Sequence, residues 1–220
     1  MEKVTPMKKL LLLGLTLSLL SSNQDNLMIK INKNISSVTV EDSGQKINIR
    51  RVQDPRHRLT DDYTKTSRAC PPFCIQSTKI DPSVETIAEL ELLEFMQKKI
   101  STNKGLLIDA RLKSWFELET IPSAINLPFP ILLNSNKQRT ERIFRLLGMK
   151  VNSDGSWDFK NVKDLTVFDN GVWCSQASHL VSGLLKYNYP SSKIHYYRSG
   201  LQGWKLFGLT TVVRKEIIKG

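Results

Sequence analysis

A switch of hydrophobic period, repeated along the second half of the chain, constrains the fold more than any other feature. The run GLLIDAR, Gly105 to Arg111, is short, apolar and closed by polar residues, as in a buried strand. Arg139 to Leu147 has helical spacing, with Ile143, Leu146 and Leu147 on one face. Leu165 to Phe168 is apolar again. Ala177, Leu180, Val181, Leu184 and Leu185 then fall at i, i+3, i+4, i+7 and i+8, and Lys193 to Tyr197 alternates as a short strand. Strands separated by helices cannot pair as hairpins, so the pattern predicts an α/β fold: a doubly wound parallel sheet flanked by helices. The unit opens near Asp81, where Asp81-Pro82 or Thr86 can start a helix. Thr86 with Glu89 fits a capping box, and Ala88, Leu92, Phe95 and Met96 give the apolar face up to Lys99.

The first residues read differently. Lys8 and Lys9 precede an apolar run from Leu10 to Leu20, and polar residues follow at once. That run is short for a bilayer span and has the form of a secretory signal over residues 1–22, which predicts an exported protein. A membrane partner is expected only if the segment is retained as an anchor. Residues 23–80 form a small β-rich N-terminal extension. Val38 and Val40, then Ile47 and Ile49, alternate around a Ser-Gly turn, the pattern of a hairpin. A connector poor in large apolar residues leads to CPPFC, where two prolines bar helix. The proposed core domain takes residues 81–220.

Export changes how the cysteines read. Thiols in an oxidising compartment tend to pair, and the chain has an odd number, Cys70, Cys74 and Cys174. The simplest assignment joins Cys70 to Cys74 and leaves Cys174 free. A metal centre is not expected, because zinc wants about four ligands and His57, His179 and His195 lack ligand spacing. No cofactor motif appears. The net charge is +11, but Arg139, Arg142 and Arg145 recur as a solvated helix face. No nucleic-acid motif with stacking aromatics is present.

Cys174 lies in DNGVWCSQAS, between strand LTVF and helix ASHLVSGLLKY. Ligands of parallel sheets bind beyond the carboxyl ends of the strands. Unpaired amides and the dipole of the following helix favour an anion there, which predicts a lowered thiol pKa. A loop curling around the sulfur would offer it N–H donors, and Asn170-Gly171 supplies the backbone freedom. The alternative is a half-buried cysteine packed on Trp173.

Several segments, in order, resemble the rhodanese-like sulfurtransferase family over about residues 105–212. LLIDAR resembles its Asp-x-Arg strand end. TIPSAINLP resembles a segment of the form His-Ile-Pro-Gly-Ala-x-Asn-Ile-Pro, with Thr120 in the His place and Ser123 in the Gly place. Leu165 to Tyr189 resembles the strand, loop and helix that carry the catalytic cysteine, and YYRSGLQGWKLFGL resembles the closing segment. The extension with CPPFC and the loop form NGVWCSQ together resemble a subgroup of exported bacterial members, which implies the bacterial periplasm. The resemblance implies a thiosulfate sulfurtransferase-like enzyme: Cys174 takes a sulfane sulfur from a thiosulfate-type anion, becomes a persulfide, and passes the sulfur to a thiol or cyanide. It implies a backbone cradle from Asn170, Gly171, Val172, Trp173, Ser175, Gln176, Ala177 and Ser178. Asp109, Arg111 and Arg198 become candidate loop braces or anion contacts. A further position departs from the family pattern: Asp169 stands at the strand end, where the cysteine usually sits. A carboxylate there would repel an anionic donor and raise a nearby thiol pKa. Two other functions fit the same residues, a rhodanese-like binding module without turnover and a thiol–disulfide redox protein. A phosphatase of the same fold is disfavoured, because Leu180 stands where the phosphate-holding Arg would be needed.

Overall fold

The computed structural model of the protein describes residues 28–133 and 135–214. The apolar run from Leu10 to Leu20 lies outside the described residues. The chain opens with a hairpin, β1 (Ser37–Asp42) and β2 (Gln45–Arg50), paired antiparallel. Its turn residues Ser43 and Gly44 both have positive φ, 51° and 80°, as a two-residue turn matched to strand twist requires. An irregular segment through CPPFC leads to β3 (Glu85–Ile87) and α1 (Glu89–Phe95). Then come β4 (Gly105–Asp109), α2 (Lys113–Leu118), β5 (Ala124–Asn126) and α3 (Lys137–Leu146). A two-stranded flap follows, β6 (Lys150–Val151) with β7 (Trp157–Asp158). The chain closes with β8 (Asp164–Phe168), α4 (Gln176–Lys186), β9 (Ile194–Tyr197) and α5 (Gly200–Leu206).

Five strands form one parallel sheet in the order β3-β9-β8-β4-β5. Successive residues of its strands serve opposite cores, as a sheet covered on both faces demands. Ile108, Val167 and Tyr196 face a core with Phe144 of α3 and Ala177, Leu180, Val181 and Leu184 of α4. Leu107, Phe168 and Tyr197 face a second core with Leu92 of α1 and Leu201 and Trp204 of α5. Val38, Val40 and Ile49 of the hairpin, and Tyr63 from the segment after it, are buried in that second core. The extension is thus part of the cover of the sheet. Backbone hydrogen bonds fix it there: Val52 N donates to Gly208 O at 2.7 Å and Thr210 N to Arg50 O at 3.1 Å.

Two local expectations change. Thr86 does not cap a helix; it lies in edge strand β3, opposite Tyr196 of β9. The helix starts instead at Glu89, where Glu91 Oε2 accepts the Ala88 N–H at 3.2 Å. Pairing with the sheet decides this register, and the local capping pattern loses to it. Leu146 is exposed rather than part of the apolar face of α3, which buries Thr140, Ile143 and Phe144; Leu147 is buried just beyond it. Arg139, Arg142 and Arg145 are exposed.

Candidate active site

Strand β8 ends at Phe168, and the chain turns through residues 169–175 before α4 begins. This loop sits at the carboxyl end of a central strand, where a parallel sheet opens a crevice. Asp169, the first residue of the loop, is fully buried. Its Oδ1 accepts from Gly171 N at 3.1 Å and its Oδ2 from Ala177 N at 2.8 Å. The Ala177 amide belongs to the first turn of α4, where helical N–H groups lack internal partners.

Cys174 is the free thiol among the described residues and is 7% exposed. Its amide donates to Gly171 O at 2.8 Å, closing the turn. The amides of Gln176 and Asn170 face the sulfur, and Asn170 Nδ2 donates to Sγ at 3.6 Å. Burial, reinforced by the Asp169 charge, pushes the thiol up to about 12. Burial also pushes the Asp169 carboxyl up to about 7, against the pull of the Ala177 and Gly171 amides. A lowered thiol pKa, expected from the helix start, is therefore overturned. The Ala177 amide that would have served the sulfur serves the carboxylate instead. The Asp169 charge thus works with burial to keep the proton on the sulfur.

Asp109 and Arg111 form a buried, two-point ion pair, with Arg111 Nε on Asp109 Oδ1 at 2.9 Å and Nη2 on Oδ2 at 2.6 Å. Thr120 Oγ1 donates to the same Oδ2 at 2.7 Å, and Arg111 Nη2 also reaches Glu119 O at 2.6 Å. The pair braces neighbouring loops and touches the sulfur only through intermediaries. Arg111 Nη1 donates to the Tyr63 hydroxyl at 3.1 Å, and that hydroxyl donates to Asn170 Oδ1 at 2.9 Å. A line of hydrogen bonds therefore runs from Arg111 through Tyr63 and Asn170 to Cys174. Sequence reasoning missed Tyr63. It lies in the irregular stretch DDYTK, with no local signal of its partner 107 residues away.

Arg198 is a brace as well. Its Nη2 donates to Gln76 O at 2.8 Å and its Nε to Ser77 O at 3.3 Å, which pins the chain after CPPFC. Gln76 N donates in turn to Val172 O at 2.8 Å. Trp173 donates to Gln202 Oε1 at 2.8 Å and packs edge to face with Phe73, ring centroids 5.5 Å apart, with the Arg68 guanidinium 4.3 Å from the centre of its own ring. Phe73 is held out by a loop that the Cys70–Cys74 disulfide closes. Ser178 Oγ donates to Ser175 O at 2.8 Å, a local helix-start contact. From the other side, α5 presses its first turn on the loop: Leu201 N donates to Asp169 O and Gln202 N to Asn170 O, each at 2.9 Å. Only glycine permits that approach, since a Cβ on Gly200, at φ 57°, would stand 2.5 Å from Asp169 O and Gly171 N.

Cys174 opens on a cavity of about 180 Å³. Pro72, Phe73, Trp115 and Trp173 supply apolar walls, and Asn170, Ser175 and Gln176 supply polar ones. Phe73 and Trp173 also line a second cavity of about 840 Å³, to which Lys65, Arg68, Cys70 and Cys74 contribute but Cys174 does not.

No curated protein matches the chain. Among solved structures, it is similar to a protein from Bacillus halodurans at 15% identity, with 60% of this chain and 78% of that chain covered and a TM-score of 0.43. It is similar to a thiosulfate sulfurtransferase from Pseudomonas aeruginosa at 17% identity, over 60% of this chain and 21% of that chain, TM-score 0.41. A 3-mercaptopyruvate sulfotransferase from Escherichia coli is 18% identical over 55% of this chain and 43% of its own, TM-score 0.38. The family model of the rhodanese-like domain matches residues 92–206, just over half of the chain, from within α1 to the end of α5. The chain belongs to the rhodanese-like domain family.

Proposed function

We propose that the protein is an exported sulfurtransferase that carries sulfane sulfur on Cys174. One observation carries the reading. A free thiol sits in a curled loop at the end of a central parallel strand, open to a small cavity and faced by amide donors. With a thiosulfate-type donor, the Cys174 sulfur attacks the outer sulfur and the S–S bond breaks. Sulfite leaves with the electron pair, and the thiol proton is released to solvent. A thiol acceptor then attacks the outer sulfur of the Cys174 persulfide and frees the cysteine. The leader-like N-terminus supports export, and so does the closed Cys70–Cys74 bridge, which suits an oxidising compartment.

The test is the intact mass of the protein after incubation with thiosulfate. The mass should rise by one sulfur atom in the natural chain and stay constant in Cys174→Ala. An unchanged natural chain whose Cys174 still alkylates would overturn the reading. Asp169 supports a second reading, a binding module without turnover, because its charge holds the thiol protonated. Under that reading, Cys174→Ala behaves as the natural chain in every assay. Thiol–disulfide exchange has less support, since neither Cys70 nor Cys74 lines the cavity that Cys174 opens on.

A further inference from the structure

The Cys70–Cys74 disulfide is open to thiols from solution. Cys70 is exposed and Cys74 is half-buried. Both line the cavity of about 840 Å³ that shares Phe73 and Trp173 with the smaller cavity at Cys174. The charged residues of its lining are Lys65 and Arg68, and no Asp or Glu is among the described residues there. Arg68 forms no ion pair among the described residues. Its Nη2 donates to Asp62 O at 2.6 Å, and its guanidinium lies 4.3 Å from the centre of the Trp173 ring and 5.1 Å from that of Phe73. Lys65 pairs with Asp62 at 2.8 Å, but both side chains are more than half exposed, and such a surface pair yields readily to another anion. Two cations beside a disulfide draw in an anionic thiolate and stabilise the thiolate that leaves.

The same disulfide restrains the wall over Cys174. Phe73 lies inside the loop that it closes, packs on Trp173 and, with Pro72, lines the smaller cavity. From Ala69 to Ile75 the hydrogen bonds among the described residues are local: Phe73 N donates to Ala69 O at 3.0 Å and Gln76 Nε2 to Cys74 O at 2.8 Å. Neither ties the loop to the sheet, so ring packing and the disulfide keep Phe73 in place. We infer that Cys70–Cys74 is a redox-active disulfide, reduced from the larger cavity by a dithiol that bears an anionic group, and that its opening unlatches Phe73 from the wall over Cys174. One thiolate of the reductant attacks a half-cystine sulfur. The Cys70–Cys74 bond breaks, and the other sulfur leaves with the electron pair. The second thiol of the reductant then resolves the mixed disulfide. The dithiol ends as a disulfide, its two protons end on Cys70 and Cys74, and Cys174 takes no part. The switch stands whether or not Cys174 carries sulfur.

The test uses the full-length protein with its disulfide closed and a matched pair of reductants, dihydrolipoate and dihydrolipoamide. They carry the same dithiol and differ in one carboxylate. Reduction is followed by alkylation and intact mass, with peptide mapping to separate Cys70 and Cys74 from Cys174. Dihydrolipoate should open the disulfide at least about 5-fold faster at low ionic strength. High salt, or Arg68→Gln combined with Lys65→Gln, should remove most of that preference. Equal rates for the two dithiols in the natural chain would overturn the anion-guided site. Cys174 should alkylate about 5-fold faster or more once the disulfide is open, because the wall then swings away. Phe73→Ala, which leaves both half-cystines in place, should speed Cys174 to a similar degree. A Cys174 rate that stays unchanged in either case would overturn the latch. Neither readout involves thiosulfate, so a chain that thiosulfate cannot load would lose the carrier reading and keep this one.

Discussion

Asp169 and Cys174 share one dry loop, and burial sets the charge of both while a small set of amides opposes it. Gly171 and Ala177 serve the carboxyl, while Asn170 and Gln176 face the sulfur. The carboxyl titrates at about 7 in the fold against about 3.9 in an unfolded chain. Between those values the folded state binds the extra proton, so this group's contribution to stability is full at acid pH and is lost as pH rises toward 7. Its size is on the order of a few kcal/mol. Urea midpoints of the natural chain should therefore fall from pH 5 to pH 8. In Asp169→Asn that component of the fall should vanish, at a general cost of about 1–3 kcal/mol because the new amide faces the Ala177 N–H. The same variant should lower the thiol pKa of Cys174, read as an alkylation rate that rises at lower pH than in the natural chain. An unshifted alkylation profile would show that Asp169 does not hold the proton on the sulfur.

Elements decide how firmly the loop is held. The β8–α4 loop is clasped between the first turn of α5 and the chain around CPPFC, through Leu201 and Gln202 on one side and Gln76 on the other. Gly200 sets the distance of α5, because a methyl group there would meet backbone atoms that cannot swing away. Gly200→Ala should cost about 2–4 kcal/mol in urea unfolding, from the left-handed φ plus the displaced loop. Gly44→Ala offers the comparison. It has φ 80° and nothing within 4 Å of the added methyl, so it should cost only about 1 kcal/mol. Similar costs for both would mean that α5 does not control the loop. The β–α alternation announced these elements because strands such as LTVF and helices such as α4 carry their period in their own residues. Strands β3 and β5 escaped, since three residues hold too little periodicity to read.

At the scale of the molecule, the extension and the parallel sheet fold as one body. Val38, Val40 and Ile49 bury their side chains against the face of the sheet that also carries Leu107, Phe168 and Trp204. Each such side chain contributes about 1.5–3 kcal/mol, so removing three approaches the whole stability of an ordinary domain. A fragment starting at Asp81 should lack a cooperative thermal transition and should bind hydrophobic dye, whereas the full chain should melt cooperatively. A fragment that melts like the full chain would show that the extension is dispensable. Tyr63 makes the dependence chemical as well, because the extension supplies the hydroxyl that orients Asn170 toward the sulfur.

The sequence by itself determined the parallel α/β architecture, the hairpin and the place of Cys174 in a strand-to-helix loop. Each of these rests on spacing between residues close along the chain, where period and turn chemistry act directly. Only the tertiary structure decided the state of the thiol, the partners of Arg198 and the arrival of Tyr63. Those depend on burial and on contacts across more than a hundred residues. A helix start alone favours a thiolate, but a carboxyl taking the same amides in a dry site reverses the sign.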